Sequence, residues 1–318
     1  MFTPDRTSRP RTARRRLTAA AAVIGLSTAL AAALSAGTAS AASPAAASAA
    51  ASAASSASTA SAVKGANSPI PFGDGYMGAG YLQDSKSFAP DTRQLRLDAP
   101  GIVSPDATYP AGIDVSHYQG SINWSSVKSA GIQFAYIKAT EGTTYKDPNF
   151  NANYLNAYNA RVIRGAYHFG RPDLSSGAAQ ATYFASSGGA WSADNLTLPG
   201  MLDLEGGCYG KSASAMQSWI LDFYTTYKAK TSRDVVIYTS ASWWNSCTGG
   251  WGGMSTRSPL FVAHWTTAAS PTIPSGFPFW TFWQYTDSGS VSGISGAVDR
   301  DRFSGGTDRL LALANNTP

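Results

Sequence analysis

Glutamate is nearly missing from this chain: 318 residues hold only two, Glu141 and Glu205. Histidine is almost as scarce, with three, and cysteine stops at two. His117, His168 and His264 form no H-x-x-H or H-x-x-x-H pair, so the local spacing of a metal site is absent. No metal and no cofactor are expected, and each imidazole is read as a partner for a nearby carboxylate or carbonyl. No serine sits in a G-x-S-x-G elbow, and neither cysteine has a recognisable neighbouring base. Covalent serine or cysteine hydrolysis is therefore unsupported. There is no internal repeat and no block of like charge.

The positive net charge is confined to one end. Residues 1–101 carry ten Lys and Arg against five Asp, whereas residues 102–318 carry fourteen of each sign. The C-terminal part has no basic surplus with which to bind nucleic acid. The arginines instead mark an export signal. Arg14-Arg15-Arg16 precede an apolar, Ala-rich stretch from Leu17 to about Leu34, and Ala39-Ser40-Ala41 follows as an A-x-A cleavage pattern. Residues 1–41 read as a secretory signal peptide, by the general or the twin-arginine route. Residues 42–62 are almost all Ala, Ser and Thr, and residues 63–108 show no sustained periodicity. Residues 42–108 are read as a disordered pro-segment or linker. Residues 109–318 are long enough for one domain with a sizeable core.

Within that domain, short β-branched or aromatic runs alternate with helical segments. Strands are expected at 112–115, 134–138, 162–169, 200–204, 235–239, 260–264, 279–285 and 296–299. Helices are expected at 123–130, 149–159, 177–186 and 212–229. The last has Met216, Trp219, Ile220, Phe223, Tyr224 and Tyr227 at three-to-four spacing, with Ser212 or Ser214 as N-cap. Helical signals fade after residue 240. Strand–helix alternation argues for a parallel sheet, and eight strands argue for closure. The fold class is α/β, a modified and partly open (β/α) TIM-like barrel with missing or shortened helices in its C-terminal half.

In such a barrel the chemistry gathers at the C-terminal ends of the strands. Almost every strand candidate ends in residues able to act: Asp114 with Ser116-His117, Lys138 to Glu141, Tyr167-His168, Asp203 with Glu205, Tyr238, His264-Trp265, Trp283-Gln284 and Asp299. The fourth end is the most informative. In Leu202-Asp203-Leu204-Glu205 the two acids lie two residues apart, so a strand would project both to one face, about 6.6–7 Å apart along the chain. Glycoside hydrolysis commonly needs such a pair, one carboxyl protonating the leaving oxygen and a second handling the developing oxocarbenium ion. That spacing lies between the roughly 5–5.5 Å of retaining pairs and the upper part of the roughly 6.5–9.5 Å inverting range, and because side chains can lean either way it does not decide stereochemistry. All nine tryptophans lie after residue 120. Trp265 and Trp283 could belong to the core or stack on sugar rings.

With those residues in view, the chain from about Ala111 onward resembles glycoside hydrolase family 25, the Chalaropsis-type lysozymes (N-acetylmuramidases). The resemblance rests on Gly112-Ile113-Asp114-Val115-Ser116-His117, on Phe134 to Gly142, on Arg164 to Phe169, on Asp203-Leu204-Glu205 and on Val298-Asp299-Arg300-Asp301. It implies cleavage of the β-1,4 bond between N-acetylmuramic acid and N-acetylglucosamine in bacterial peptidoglycan. With the export signal and the balanced charge of residues 102–318, an extracellular monomer is expected, with no nucleic-acid partner and, in its mature form, no membrane partner. By position, Glu205 would be the general acid/base, Asp203 its partner near the substrate's acetamido group, and Asp114 and Asp299 the outer carboxylates, with Asp299 preferred over Asp301. Tyr136, Tyr167, His168, Tyr238, His264, Trp265, Trp283 and Gln284 are the candidate substrate contacts. Gly206-Gly207 leaves a shorter loop before Cys208 than the family leads one to expect.

Two other readings have less support. A chitinase-like enzyme would carry a longer Asp-x-x-Asp-x-Asp-x-Glu string, and here Leu198 and Met201 stand where its first two acids would be. A silent wall-binding module would not need carboxylates at four strand ends. Cys208 and Cys247, in an exported chain, are expected to be bridged. A chain starting near Pro105 is expected to fold and to lyse bacterial walls in a turbidity assay. Loss of soluble, active protein on that truncation would show the upstream segment to be required.

Overall fold

The computed structural model describes residues 70–81 and 109–318, all within one compact unit spanning Ala62–Pro318. The signal-peptide and Ala/Ser-linker readings for residues 1–69 and 82–108 lie outside the described residues. Residues 70–81 depart from expectation. Composition assigns them to a disordered linker, yet Ile70, Met77 and Ala79 are buried against the barrel. Three apolar side chains among flexible glycines suffice for this packing, although no periodic pattern reveals it.

Eight strands close into a ring: β1 (Ala111–Val115), β2 (Phe134–Glu141), β4 (Ile163–Phe169), β5 (Met201–Asp203), β6 (Val236–Ser240), β7 (Leu260–Ala263), β8 (Phe282–Gly289) and β9 (Val298–Phe303). A two-residue strand, β3 (Tyr145–Lys146), folds back on β2. The order β1-β9-β8-β7-β6-β5-β4-β2 returns to the start through the β1–β2 pairing. Neighbours are parallel except around β9, which runs antiparallel to both β8 and β1. The departure from a regular barrel lies in that reversed strand rather than in a gap. It also corrects the expected strand at 296–299: the strand continues to Phe303, and Asp299 stands near its N-terminal end. Because β9 is reversed, that end lies level with the C-terminal end of β1, where Asp299 faces Asp114.

Alternation along each strand sorts side chains into two cores. Outward residues, among them Ile113, Ile137, Leu202, Ile237 and Val262, pack beneath the helices. Those helices are α1 (Trp124–Ser129), α2 (Phe150–Asn159), α3 (Gly177–Phe184), α4 (Ala213–Thr231), α5 (Ala241–Thr248) and α6 (Thr307–Asn315). The first four match expectation, and Ser212 caps α4 by accepting from the Ala215 amide. The short α5 and α6 were not foreseen; no helix follows β7 or β8. Inward residues form an aromatic column of Phe134, Tyr136, Tyr238, Phe261, Phe282 and Phe303, with neighbouring ring centroids 5.1–5.9 Å apart. Gly112 and Gly165 make room for it, since a Cβ there would stand 2.2 Å from Phe134 and 2.3 Å from Tyr136. The barrel is thus filled below its mouth. None of the described helices is long and apolar enough to cross a membrane.

Cys208 and Cys247 are bridged, with Cα atoms 5.1 Å apart. The bridge ties the loop leaving β5 to α5, and the Trp243 indole N–H of the same helix donates to the Gly207 carbonyl at 2.9 Å. Closing a loop across 39 positions is worth about 4 kcal/mol in the chain-entropy model. The double substitution Cys208→Ser, Cys247→Ser is expected to lower the calorimetric midpoint by roughly 10 °C. An unchanged midpoint would show that the bridge contributes nothing to stability.

Candidate active site

The mouth of the barrel holds five buried carboxyls. Asp114 ends β1, Asp203 ends β5, Glu205 follows it by two residues, and Asp299 and Asp301 lie two apart on β9. The Leu204 amide still pairs with the Tyr238 carbonyl, at 2.9 Å. This extends the strand geometry past Asp203 and keeps Glu205 on the inner face with it. Asp299 opposes Asp114 across the β1–β9 ladder, and Asp301 opposes Gly112, one step deeper. The reversed strand therefore brings two acids to Asp114, not one. The sequence preferred Asp299 alone, because it directly follows the strand's Val.

Gln284 fixes the polarity of the cluster. Its Oε1 accepts from the Tyr238 hydroxyl at 2.8 Å and from the Trp265 indole N–H at 2.9 Å. With two donors on the oxygen, its amide nitrogen must face the other way, where it donates to Asp114 Oδ2 at 2.8 Å. Asp203 has no donor on either oxygen, and neither does Asp301. The contact of Asp301 with Asp114 becomes a hydrogen bond only when one of the two carries a proton. Glu205 accepts from the backbone amides of Gly78 at 2.9 Å and Gly80 at 2.7 Å.

Burial dominates the electrostatics. It raises Glu205 to about 8, against the opposing pull of the Gly80, Tyr81 and Gly78 amides and with help from the Asp114 charge. It raises Asp114 to about 7, opposed by Gln284, Asp299 and Asp301. Asp203, Asp299 and Asp301 are pushed well above the usual carboxylate range, again first by burial. Desolvation is the larger cause, and repulsion between the Asp203 and Glu205 charges adds to the upward push on the pair.

The candidate substrate contacts divide by strand face. Tyr167, Tyr238, Gln284 and Trp265 lie at the mouth, near the carboxyls. Gln284 is fully buried, with its amide spent on protein groups, so it positions Asp114 rather than facing a ligand. Tyr136 points inward but deeper, its hydroxyl on the Pro199 carbonyl and its ring in the aromatic column. His168 faces the helices. It bonds Thr140 and Gln180, stacks near Phe184 and Phe223, and burial lowers its pKa to about 4. Trp283 also packs in the outer core, its indole N–H on the His264 carbonyl. His264 itself accepts from the Thr272 amide. His168 and Trp283 thus lie in the outer core and Tyr136 below the mouth, while His264 is half-buried just past the end of β7.

Lys138 and Glu141, named among the strand ends, were not foreseen as a buried pair with Arg171. A bulge at Ala139 breaks the β2–β4 register between Lys138 and Thr140. Residues three apart on a regular strand face opposite ways, and the extra residue returns Glu141 to the face of Lys138. Lys138 and Glu141, both fully buried, pair at 2.9 Å, and Arg171 reaches Glu141 at 3.0 Å. Among the described residues, no group of three or more His, Cys, Asp or Glu side chains could hold a metal ion.

A sequence model of the family described as "Glycosyl hydrolases family 25" matches residues 113–294. The chain is 61% identical over 252 residues to Lysozyme M1 of Streptomyces globisporus, covering 77% of this chain and 83% of that one. It is 46% identical over 200 residues to the N,O-diacetylmuramidase of Chalaropsis sp, covering 59% and 95%. The crystal structure of the bacterial lysozyme from Streptomyces coelicolor superposes with a TM-score of 0.64 at 66% identity, over 65% of this chain and 98% of that one.

Asp114 supplies a pH test of the buried cluster. Its folded pKa lies near 7, above that of a free Asp, about 3.9. Between those values the folded chain holds a proton that the unfolded chain has released, so this group removes stability as pH rises. Asp114→Asn abolishes the effect. Its stability relative to the native chain, measured by urea unfolding, is expected to climb by up to about 4 kcal/mol between pH 4 and pH 7. A difference independent of pH would mean that Asp114 ionises as in water.

Proposed function

We propose, from the premise that this chain belongs to glycosyl hydrolases family 25, that Glu205 is the proton donor of a muramidase acting on bacterial peptidoglycan. The chain is a glycoside hydrolase of the lysozyme type. The finer reading is that it hydrolyses the β-1,4 bond between N-acetylmuramic acid and N-acetylglucosamine.

The observation that carries the assignment is Glu205 itself: an inward-facing carboxyl at the barrel mouth, raised by burial to about 8. A free Glu, with pKa about 4.3, is almost wholly ionised at neutral pH and cannot protonate a leaving oxygen. Glu205 kept protonated can do so as the glycosidic bond breaks and positive charge grows on the sugar ring. Asp203 complements it. Its two buried oxygens meet no protein donor, which leaves both free to accept the N–H of a 2-acetamido group. An acetamide held there is positioned for its carbonyl oxygen to attack the anomeric carbon. Glu205, then deprotonated, takes a proton from the water that completes hydrolysis. Asp114 and Asp299 line the same mouth, facing each other across the β1–β9 ladder. An exported form, with residues 1–41 removed, would meet this substrate outside the cell.

Glu205→Gln keeps the shape and removes the proton, so turnover is expected to fall at least about a hundredfold. Asp203→Asn should also cost heavily. In the native enzyme, activity depends on protonated Glu205 and should therefore be lost as pH rises, with an apparent alkaline pKa well above 4.3, the approximate value for free Glu. Mass analysis of the fragments should find N-acetylmuramic acid at the reducing ends. Reducing-end N-acetylglucosamine, or a Glu205→Gln enzyme keeping more than about a tenth of native turnover, would contradict the reading.

A further inference from the structure

We infer that residues 70–81 are an inhibitory segment that occupies the catalytic mouth and must leave it before a glycan can enter. The inference rests on the muramidase reading of that mouth.

Ile70-Pro-Phe-Gly-Asp-Gly-Tyr-Met-Gly-Ala-Gly-Tyr81 crosses the cleft and reads two carboxyls with its backbone. The amides of Gly73 and Gly75 donate to Glu141 Oε1 and Oε2 at 3.0 and 3.3 Å. The amides of Gly78 and Gly80 donate to Glu205 Oε1 and Oε2 at 2.9 and 2.7 Å. The two glutamates are the only ones in the chain, and each is clamped through both oxygens. Lys138 completes the first clamp by donating to the Gly73 and Gly75 carbonyls. Hydrogen bonds to charged groups are roughly twice as strong as neutral ones.

Glycine is required at each clamp. A Cβ on Gly75 would stand 2.5 Å from the Phe169 ring, and one on Gly80 would stand 2.3 Å from the Gly206 amide nitrogen. Gly78, at φ +93, holds a left-handed conformation with the Trp265 ring 2.8 Å from where its Cβ would be. Between the clamps, Met77 is fully buried over Tyr167 and the aromatic column. Tyr76 packs edge-on against Tyr118, and Tyr81 lies 4.4 Å from Trp265, centroid to centroid. The segment thus combines apolar anchoring with hydrogen bonds to the group that would protonate the substrate.

In this arrangement Glu205 is 3% exposed and Asp203 is not exposed at all. A carboxyl with amide donors on both oxygens has no free face toward a glycosidic oxygen. The contacts therefore block access, and their amides pull the Glu205 pKa down against the larger effect of burial. Residues 82–108 tether the segment to the domain. A tethered segment acts at an effective concentration in the millimolar range, about what a modest intrinsic affinity needs to keep a site closed.

The test uses the full chain and its Gly78→Val, Gly80→Val variant, which cannot seat the segment. Met77→Asp serves as a second variant that removes the apolar anchor and leaves the glycines alone. Thermal unfolding checks that each retains the barrel. Both variants are expected to hydrolyse walls at least about tenfold faster than the native chain, given the effective concentration they remove. A synthetic peptide of residues 70–81 should inhibit them competitively. Amide hydrogen exchange, which needs no catalysis, should find Gly78 and Gly80 protected in the native chain. Equal rates for native and variant chains, or unprotected Gly78 and Gly80 amides, would overturn the inference and leave the muramidase reading standing. Protected amides with no wall hydrolysis by any form would overturn the muramidase reading, and the inhibitory role with it.

Discussion

Withdrawal of carboxyls from water is the constraint on which the rest of this structure depends. Five acids meet at one barrel mouth, and Lys138, a buried cation beside them, is already committed to Glu141. Five such groups cannot all ionise in a dry site, so some protons stay bound at a pH where free carboxyls have lost them. The aromatic column makes this possible. Rings from β2, β6, β7, β8 and β9 fill the barrel from below and exclude water from the acids' inner side. Gln284 then orders the cluster by turning its amide nitrogen to Asp114, held there by Tyr238 and Trp265. Two carboxyls placed two residues apart thus meet different surroundings. Glu205 receives donors, and Asp203 receives none.

The reversed β9 strand is the second structural decision. A parallel eighth strand would present one residue at its C-terminal end. An antiparallel one brings its beginning to the mouth and stacks Asp299 above Asp301 beside Asp114. With no helix after β7 or β8, loops carrying Trp265 and His264 form that side of the rim. The opposite rim is stiffened covalently. The Cys208–Cys247 bridge and the Trp243 bond to Gly207 hold the short loop that follows Glu205.

Much of this was legible in the sequence. Strand runs, the helix at 213–231 with its Ser212 cap, the bridged cysteines and the four mouth carboxyls could all be read from spacing, export logic and family resemblance. What could not be read follows from one-residue parity. Tyr167-His168 and Trp283-Gln284 are adjacent pairs at strand ends, and only one member of each can face the mouth. Tyr167 and Gln284 do, and His168 and Trp283 pack in the outer core instead. The bulge at Ala139 is equally silent in sequence, and without it Glu141 would face the helices. Strand direction is silent too, which is why β9 was placed without its reversal. The segment at 70–81 escaped notice because its binding groups are backbone amides. A glycine-rich linker and a glycine-rich ligand have the same composition.

The scarcity of glutamate gives the central claim a direct test. The chain labelled with 13C at the glutamate side-chain carboxyl has only two signals, from Glu141 and Glu205. Glu205→Gln identifies which is which by deleting one. The account predicts that the Glu205 signal titrates far above the free value of about 4.3, near 8 in the intact chain. A Glu205 signal that titrates at or below the free value would mean the carboxyl is ionised at neutral pH, and would contradict its role as proton donor.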